Sequence, residues 1–171
     1  YLAHAKQMQA LELIPQIAKE FKAVFGRDSG GLIKPYRLDD ADTVVIALGS
    51  VLGTIKDTVD DLRAEGIQVG VLGITSYRPF PIEAIRAATA HAKRIVVIEK
   101  CFAVGIGGIV SRDVRSAVQS RPQQVYAVIA GLGGRDITMP ILSDIYFEVK
   151  RSDAPRRESV WVGLQEVTRA T

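Results

Sequence analysis

Apolar residues in this chain follow two spacings: the continuous runs of buried strands and the three-to-four-residue spacing of helices. Four runs rich in Val, Ile and Leu predict strands covered on both faces, since a half-exposed strand would alternate apolar and polar residues. A helical segment follows each run. The predicted strands are Thr43–Leu48, Gln68–Ile74, Arg94–Glu99 and Gln124–Ala130, and the predicted helices are Thr54–Leu62, Ile82–Ala92, Gly108–Val118 and Pro140–Val149. This alternation indicates parallel strands joined by right-handed crossovers, with helices on both faces of the sheet.

Two further segments precede this alternation. Leu2–Phe25 carries a helical apolar stripe, and Pro15 inside it predicts a kinked helix or two shorter ones, because proline lacks an N–H and clashes with the carbonyl one turn back. Gly31–Tyr36 is a short extended segment. Because Pro35 cannot donate a hydrogen bond to a neighbouring strand, we expect this segment at the edge of the sheet.

The composition narrows the class of protein. The chain has 171 residues, of which 47% are hydrophobic and 6% aromatic, which suits an α/β domain better than an all-β sandwich. No apolar stretch reaches the roughly 18 residues of a membrane span. A single Cys excludes a disulfide framework and an all-Cys iron–sulfur site supplied by this chain alone. The formal net charge of +3 is dispersed, so we expect no nucleic acid as a partner. With no apolar span we also expect no membrane partner, and the free Cys fits a reducing, cytoplasmic location.

Four loops follow the predicted strands, at the edge where open α/β sheets bind ligands. Three of them are glycine-rich, and backbone N–H groups at a helix start can hold a phosphate or carboxylate. The sequence lacks G-x-x-x-x-G-K-[ST], and no G-x-G-x-x-G follows the first strand, so glycines that only allow tight turns are the ordinary alternative. The candidate contacts, for an anion or for a neighbouring subunit, are Ser50, Thr54, Tyr77, Arg78, Gly107, Gly108, Gly133, Gly134, Arg135 and Asp136.

The reactive side chains near these loops do not form a recognisable catalytic set. Cys101 precedes a glycine-rich helix start, where a thiolate can be stabilised, although an inert thiol is the more ordinary interpretation. Glu99 and Lys100 are expected to form a solvated or interfacial pair. Arg135 and Asp136 are expected to form an ion pair or a subunit contact rather than a ligand clamp. We therefore predict no catalytic, cofactor-binding or metal-binding residue in this chain.

Taken in order, the loop motifs resemble one family. They are Gly49-Ser50 with Gly53-Thr54, Arg78-Pro79-Phe80-Pro81, Gly105-Ile106-Gly107-Gly108, and Gly131-Leu132-Gly133-Gly134-Arg135-Asp136-Ile137-Thr138. This set is similar to the C-terminal part of the α chain of 2-oxoacid:ferredoxin oxidoreductases, and the last motif is most similar to the pyruvate branch. The leading helix with Phe25-Gly26-Arg27 resembles the linker that leaves the preceding thiamine-pyrimidine domain.

The resemblance implies a fold and a division of the chain. The implied fold is that of the transketolase C-terminal domain, a three-layer α/β/α unit with a mixed, mostly parallel five-stranded sheet. Residues 1–30 would be a linker helix from an upstream thiamine-pyrimidine domain, and residues 31–150 the α/β domain. Residues 151–171 lie outside the resemblance; because the lone Trp161 has little core of its own, we expect this tail to dock on another surface, that of a partner or of this domain itself.

The resemblance also implies a function. Enzymes of this family use thiamine diphosphate, Mg²⁺ and [4Fe–4S] clusters to convert pyruvate and coenzyme A to acetyl-CoA, CO₂ and reduced ferredoxin. In the family this domain serves assembly and carries none of these cofactors. We therefore expect a chain that is inactive alone and binds no cofactor by itself. Its expected partners are the other subunits or domains of the oxidoreductase, with ferredoxin and coenzyme A engaged through the complex.

Two alternatives remain beside this interpretation. One is a stand-alone α/β module that binds an anion, a nucleotide or coenzyme A at the glycine loops. The other is a domain of a different thiamine enzyme, such as a transketolase or the β chain of a 2-oxoacid dehydrogenase. The Gly-Leu-Gly-Gly-Arg-Asp-Ile-Thr stretch argues against the second alternative.

Overall fold

The computed structural model describes residues 1–163 and contains a six-stranded sheet between helices. The helices are α1 (Leu2–Phe25), α2 (Val51–Ala64), α3 (Ile82–Ala88), α4 (Ile109–Ala117) and α5 (Met139–Arg151). The strands of the sheet are β1 (Ile33–Tyr36), β2 (Thr43–Ala47), β3 (Val69–Ile74), β4 (Arg94–Glu99), β7 (Gln124–Ile129) and β8 (Val160–Trp161). Two further strands, β5 (Phe102–Ala103) and β6 (Gly107–Gly108), form a separate hairpin.

The strand order β1-β3-β2-β4-β7-β8 confirms a mixed, mostly parallel sheet. β1 lies at one edge and runs antiparallel to β3, with Pro35 opposite Leu72. The other pairs are parallel. From β2 the chain first adds β3 on one side and then returns to add β4 on the other. The carboxyl ends of β2 and β4 therefore form the topological switch point, where ligands bind in sheets of this kind.

The sheet has one strand more than expected. The additional strand is β8, whose Trp161 lies opposite Ile129 of β7. It comes from the segment 151–171 that was expected to dock on a partner or on this domain, and its described part extends the sheet of its own chain. A contact of that segment with a partner stays a prediction, as does the division of the chain at residues 30 and 150. Residues 164–171 lie outside the described part.

Alternate residues of each central strand enter two separate cores, one on each face of the sheet. Val45 and Ala47 of β2 pack with α2 and α5, whereas Val44 and Ile46 pack with α3 and α4. All five residues of β2 are buried, as the continuous apolar run predicted. This arrangement gives the three-layer α/β/α architecture, because each helical layer covers one face of a sheet whose strands carry side chains on both.

The leading segment forms one helix rather than two. Pro15 lies inside α1, which ends at Gly26 with φ of +66°, and no residue of α1 is buried. Several of its large apolar side chains are exposed, including Leu13, Ile17 and Val24. Within residues 1–163, no helix has both the length and the apolar character needed to cross a bilayer.

Candidate functional site

The switch point opens into a cleft of about 450 Å³. Its walls are the turn Gly49–Val51 after β2 and the residues Glu99–Cys101 at the end of β4, and Tyr77 also lines it. The floor is apolar and consists of Leu48, Ile98, Val110 and Ile137. Of the predicted contact residues, the structure places Ser50 and Tyr77 in this cleft.

Glu99 is the most constrained polar side chain at this edge. It is only 6% exposed, and its two carboxylate oxygens accept hydrogen bonds from the backbone N–H groups of Ile109, Val110 and Ser111 at 2.9, 2.8 and 2.9 Å. These are the first three residues of α4, whose N-cap is Gly108. The carboxylate therefore satisfies donors that a helix start leaves free, and it interacts favourably with the helix dipole. The expected solvated or interfacial Glu99–Lys100 pair is wrong, because the N–H groups of α4 hold the carboxylate inside the protein.

The glycine-rich turn before α4 makes room for this carboxylate. A Cβ on Gly108 would collide with Oε1 of Glu99 and Oγ of Ser111. The N–H of Gly108 itself donates to Oγ of Ser159 at 3.3 Å. Because the N–H of Gly108 and those of the first three residues of α4 are already bonded within the chain, the geometry argues against an external anion at Gly108.

Cys101 lies beside the same carboxylate. Its thiol donates to Oε2 of Glu99 at 3.4 Å, and the residue is exposed toward the cleft. Burial of the sulfur atom and the hydrogen bond to Glu99 raise the pKa of the Cys101 thiol above its ordinary value. The environment thus disfavours the thiolate, in keeping with an inert thiol rather than a nucleophile.

Tyr77 and Arg78 form a second locked group. The Tyr77 hydroxyl donates to Oδ2 of Asp113 on α4 at 2.6 Å, and Arg78 donates to the same oxygen at 2.6 Å. The Arg78 guanidinium stacks 3.9 Å from the centre of the Tyr77 ring, and Phe80 contacts that ring edge-on. Burial and the carboxylate of Asp113 raise the pKa of Tyr77 to about 12. This group joins the loop after β3 to α4 and keeps Arg78 partly exposed.

The loop after β7 presents its polar residues to solvent. Arg135 and Asp136 are both exposed, and Arg135 donates to the carbonyl of Leu132 at 3.2 Å. No ion pair joins Arg135 to Asp136 within residues 1–163, so the expected pair is absent from the described part of the chain. Gly133 and Gly134 have φ of +64° and +78°, which L side chains adopt only with strain. Only Ile137 of this loop reaches the cleft.

Three residues that organise the site were not predicted: Glu99 as a helix cap, Asp113, and Ile137. A signal for Glu99 was present, because a carboxylate ends β4 and the following helix begins after Gly108 with no capping side chain of its own. Nothing local marks Asp113, which meets Tyr77 across 36 residues of sequence.

Thr54, another predicted contact residue, lies one turn into α2, where its carbonyl accepts a hydrogen bond from Thr58. Among the described residues, no group of three or more His, Cys, Asp or Glu side chains could hold a metal ion.

Comparison with known proteins gives a family and several relatives. The family model for the pyruvate:ferredoxin oxidoreductase core domain II matches residues 41–141. The chain is 37% identical over 155 residues to pyruvate synthase subunit PorA of Methanothermobacter thermautotrophicus, covering 91% of this chain and 39% of that subunit. It is 41% identical over 154 residues to PorA of Methanosarcina barkeri, covering 88% and 38%. Identity to ketoisovalerate oxidoreductase subunit VorA of Pyrococcus abyssi is 33% over 169 residues, covering 96% and 42%.

Two solved structures share the fold. A 2-oxoglutarate:ferredoxin oxidoreductase from Magnetococcus marinus, with 2-oxoglutarate, coenzyme A and succinyl-CoA bound, matches with a TM-score of 0.55 and 22% identity, over 76% of this chain and 21% of that one. A split-gene transketolase, described as an inactive β4 tetramer, matches with a TM-score of 0.52 and 16% identity, over 67% and 40%. Both comparisons support the three-layer α/β architecture.

Proposed function

The chain belongs to the pyruvate:ferredoxin oxidoreductase core domain II family, and from this premise we propose that it is an assembly domain of a 2-oxoacid:ferredoxin oxidoreductase. The chain spans about two fifths of the length of the PorA relatives it matches. The reaction therefore belongs to the whole complex, which converts pyruvate and coenzyme A to acetyl-CoA, CO₂ and reduced ferredoxin. The higher identity to PorA than to VorA supports pyruvate as the oxoacid.

The cofactors of that reaction belong to other parts of the complex in this proposal. A [4Fe–4S] cluster takes four cysteine ligands, and this chain has one Cys, so its residues do not fit a cluster. A cysteine that binds a metal does so as a deprotonated thiolate. The pKa of the Cys101 thiol is instead raised, and the thiol donates a hydrogen bond to Glu99. Thiamine diphosphate, Mg²⁺ and the clusters are accordingly assigned to neighbouring subunits or domains, as is contact with ferredoxin and coenzyme A.

One observation carries the assembly role: Glu99, Tyr77 and Arg78, which lie at the carboxyl edge of the sheet, already make hydrogen bonds that hold the fold together. Glu99 closes the start of α4, and Asp113 holds both Tyr77 and Arg78. The loops they fix are consequently rigid, and a rigid loop loses little conformational entropy when it meets another subunit. Arg135 in the loop after β7 is the best candidate for such a contact, because it is exposed and its one side-chain hydrogen bond within residues 1–163 goes to the carbonyl of Leu132 in its own loop.

Replacement of Arg135 by Ala tests this role. The side chain contributes little to the domain itself, so we expect Tm to change by no more than about 2 °C, whereas dissociation of the complex increases about tenfold or more. Native mass spectrometry of the purified assembly reports the subunits retained, and calorimetry reports Tm.

The matched control is Arg112→Ala, since Arg112 is an exposed arginine on α4. It should leave both assembly and Tm unchanged. A lower Tm of Arg135→Ala with the assembly intact would show that Arg135 stabilises the domain rather than a subunit contact. A complex that contains neither thiamine diphosphate nor iron–sulfur subunits would overturn the proposed function as a whole.

A further inference from the structure

The switch-point cleft has the size and lining of a small-molecule site. Its volume, about 450 Å³, is within the range of ligand pockets in proteins. Leu48, Ile98, Val110 and Ile137 give it an apolar floor drawn from four different segments of the chain. Such a floor suits the apolar body of a ligand, and the polar groups at the rim decide which head group the ligand carries.

Lys100 supplies the charge at the rim. No carboxylate pairs with it among the ion pairs of residues 1–163. The other charged residue that lines the cleft is Glu99, and its carboxylate is fully engaged by the start of α4 and the Cys101 thiol. The cleft therefore combines an apolar floor with an uncompensated positive charge.

The loop after β7 leaves space for the Lys100 side chain. A Cβ on Gly131 would lie 3.0 Å from Cε of Lys100 and 2.9 Å from Cδ1 of Ile137. The absence of a side chain at Gly131 thus lets the aliphatic part of Lys100 pack beside the floor residue Ile137, with the ammonium group at its end.

We propose that the cleft binds a small organic anion, with one carboxylate or phosphate group beside Lys100 and an apolar body against Ile98, Val110 and Ile137. The charge of Lys100 and the apolar floor are complementary to the two parts of such a molecule. This proposal is independent of the assembly role, because it concerns a different group of residues from the exposed Arg135 loop.

Cys101, which lines the same cleft and is the chain's single cysteine, provides a local reporter. The intact assembly is labelled with a maleimide at mildly alkaline pH, and mass spectrometry follows the peptide that contains Cys101. Hexanoate and phenyl phosphate are the probes, and the uncharged hexanol and phenol are their matched controls. At a probe concentration ten times its Kd, we expect labelling to slow about tenfold with the anions and to be unchanged with the alcohols. The probe that protects more strongly distinguishes a carboxylate from a phosphate ligand.

Substitution of Lys100 separates recognition from simple filling of the cleft. Lys100→Gln should abolish protection by the anions, whereas Lys93→Gln, at an exposed lysine outside the cleft, should retain it. Labelling that no probe slows, or that slows equally in Lys100→Gln, would overturn the proposal. A Cys101 that cannot be labelled in the native assembly, but is labelled after denaturation, would also overturn it, because a neighbouring chain would then cover the cleft.

Discussion

Two turns at the carboxyl edge of the sheet both contain glycines and both lead into a helix, yet they begin that helix in opposite ways. α2 follows β2 almost directly, no side chain caps its start, and its first turn contains no acidic residue. α4 follows the β5–β6 hairpin, and the buried Glu99 carboxylate bonds to its first three N–H groups. A glycine-rich helix start is therefore not evidence of an external anion, because a carboxylate from the same chain can take that position.

Removal of the Glu99 carboxylate should have the largest effect on the stability of the protein, because α4 depends on it and α2 does not. Glu99→Ala leaves the first three N–H groups of α4 without their acceptor, and those of Val110 and Ser111 are buried, so we expect the free energy of unfolding to fall by about 3 kcal/mol or more. Urea denaturation measures this change. Glu65→Ala, at an exposed glutamate just after α2, should change stability by less than about 0.5 kcal/mol. Equal stability of the two variants would show that α4 does not depend on Glu99.

Replacing one glycine near the start of each helix by alanine compares how much space the two starts leave for a side chain. The φ of Gly108 is −64°, which any residue adopts, so Gly108→Ala is costly only because its Cβ would collide with Glu99 and Ser111. We expect a loss of about 1–3 kcal/mol. Gly53 lies inside α2 with no atom within 4 Å of an added Cβ, so Gly53→Ala should instead stabilise the protein by about 0.5–1 kcal/mol. Thermal unfolding of both variants should show shifts of opposite sign.

A smaller loss of stability than that of the Glu99 and Gly108 variants is expected at Tyr77, which bonds to Asp113 of α4. Tyr77→Phe removes the hydrogen bond to Asp113 and should cost about 1 kcal/mol at neutral pH. The pKa of Tyr77 is raised from 10.0 to about 12 in the folded state. A raised pKa means that this stabilisation is present in full below pH 10 and is lost as the pH rises toward 12. Stability curves of the two proteins should therefore converge at high pH, and curves that stay parallel would contradict this assignment.

Much of the fold could be predicted from residue patterns. The β4 bounds were predicted as observed, and the edge position of β1 follows from Pro35, because an edge strand tolerates a residue without an N–H. Helix ends were less accurate: α2 begins at Val51 rather than Thr54, and α3 ends at Ala88 rather than Ala92. Apolar periodicity reports which residues are buried, and the terminal turns of a helix often contain residues that are not.

The candidate site was only partly predictable. Gly49-Ser50 and Tyr77 could be placed at the carboxyl edge, since strand ends in a parallel sheet share one edge. The sequence did not show that they share a cleft with Lys100 and Ile137. That follows from the strand order, which puts β2 next to β4. Similarly, β8 could not be foreseen from the three apolar residues Val160-Trp161-Val162, because its pairing with β7 depends on a free sheet edge rather than on its own pattern.

The sequence by itself determined the class of this domain: four buried strands alternating with helices, a proline-marked edge strand, and loop motifs that identify the family. These features arise from burial and backbone restriction, which act on each residue and its near neighbours. Only the tertiary structure decided what the polar residues do. Glu99 is the anion at the start of α4, Asp113 holds Tyr77 and Arg78, and Lys100 at the cleft has no ion-pair partner among residues 1–163. The reason is that hydrogen bonds and charge pairing depend on distances between segments, and the order of the strands sets those distances.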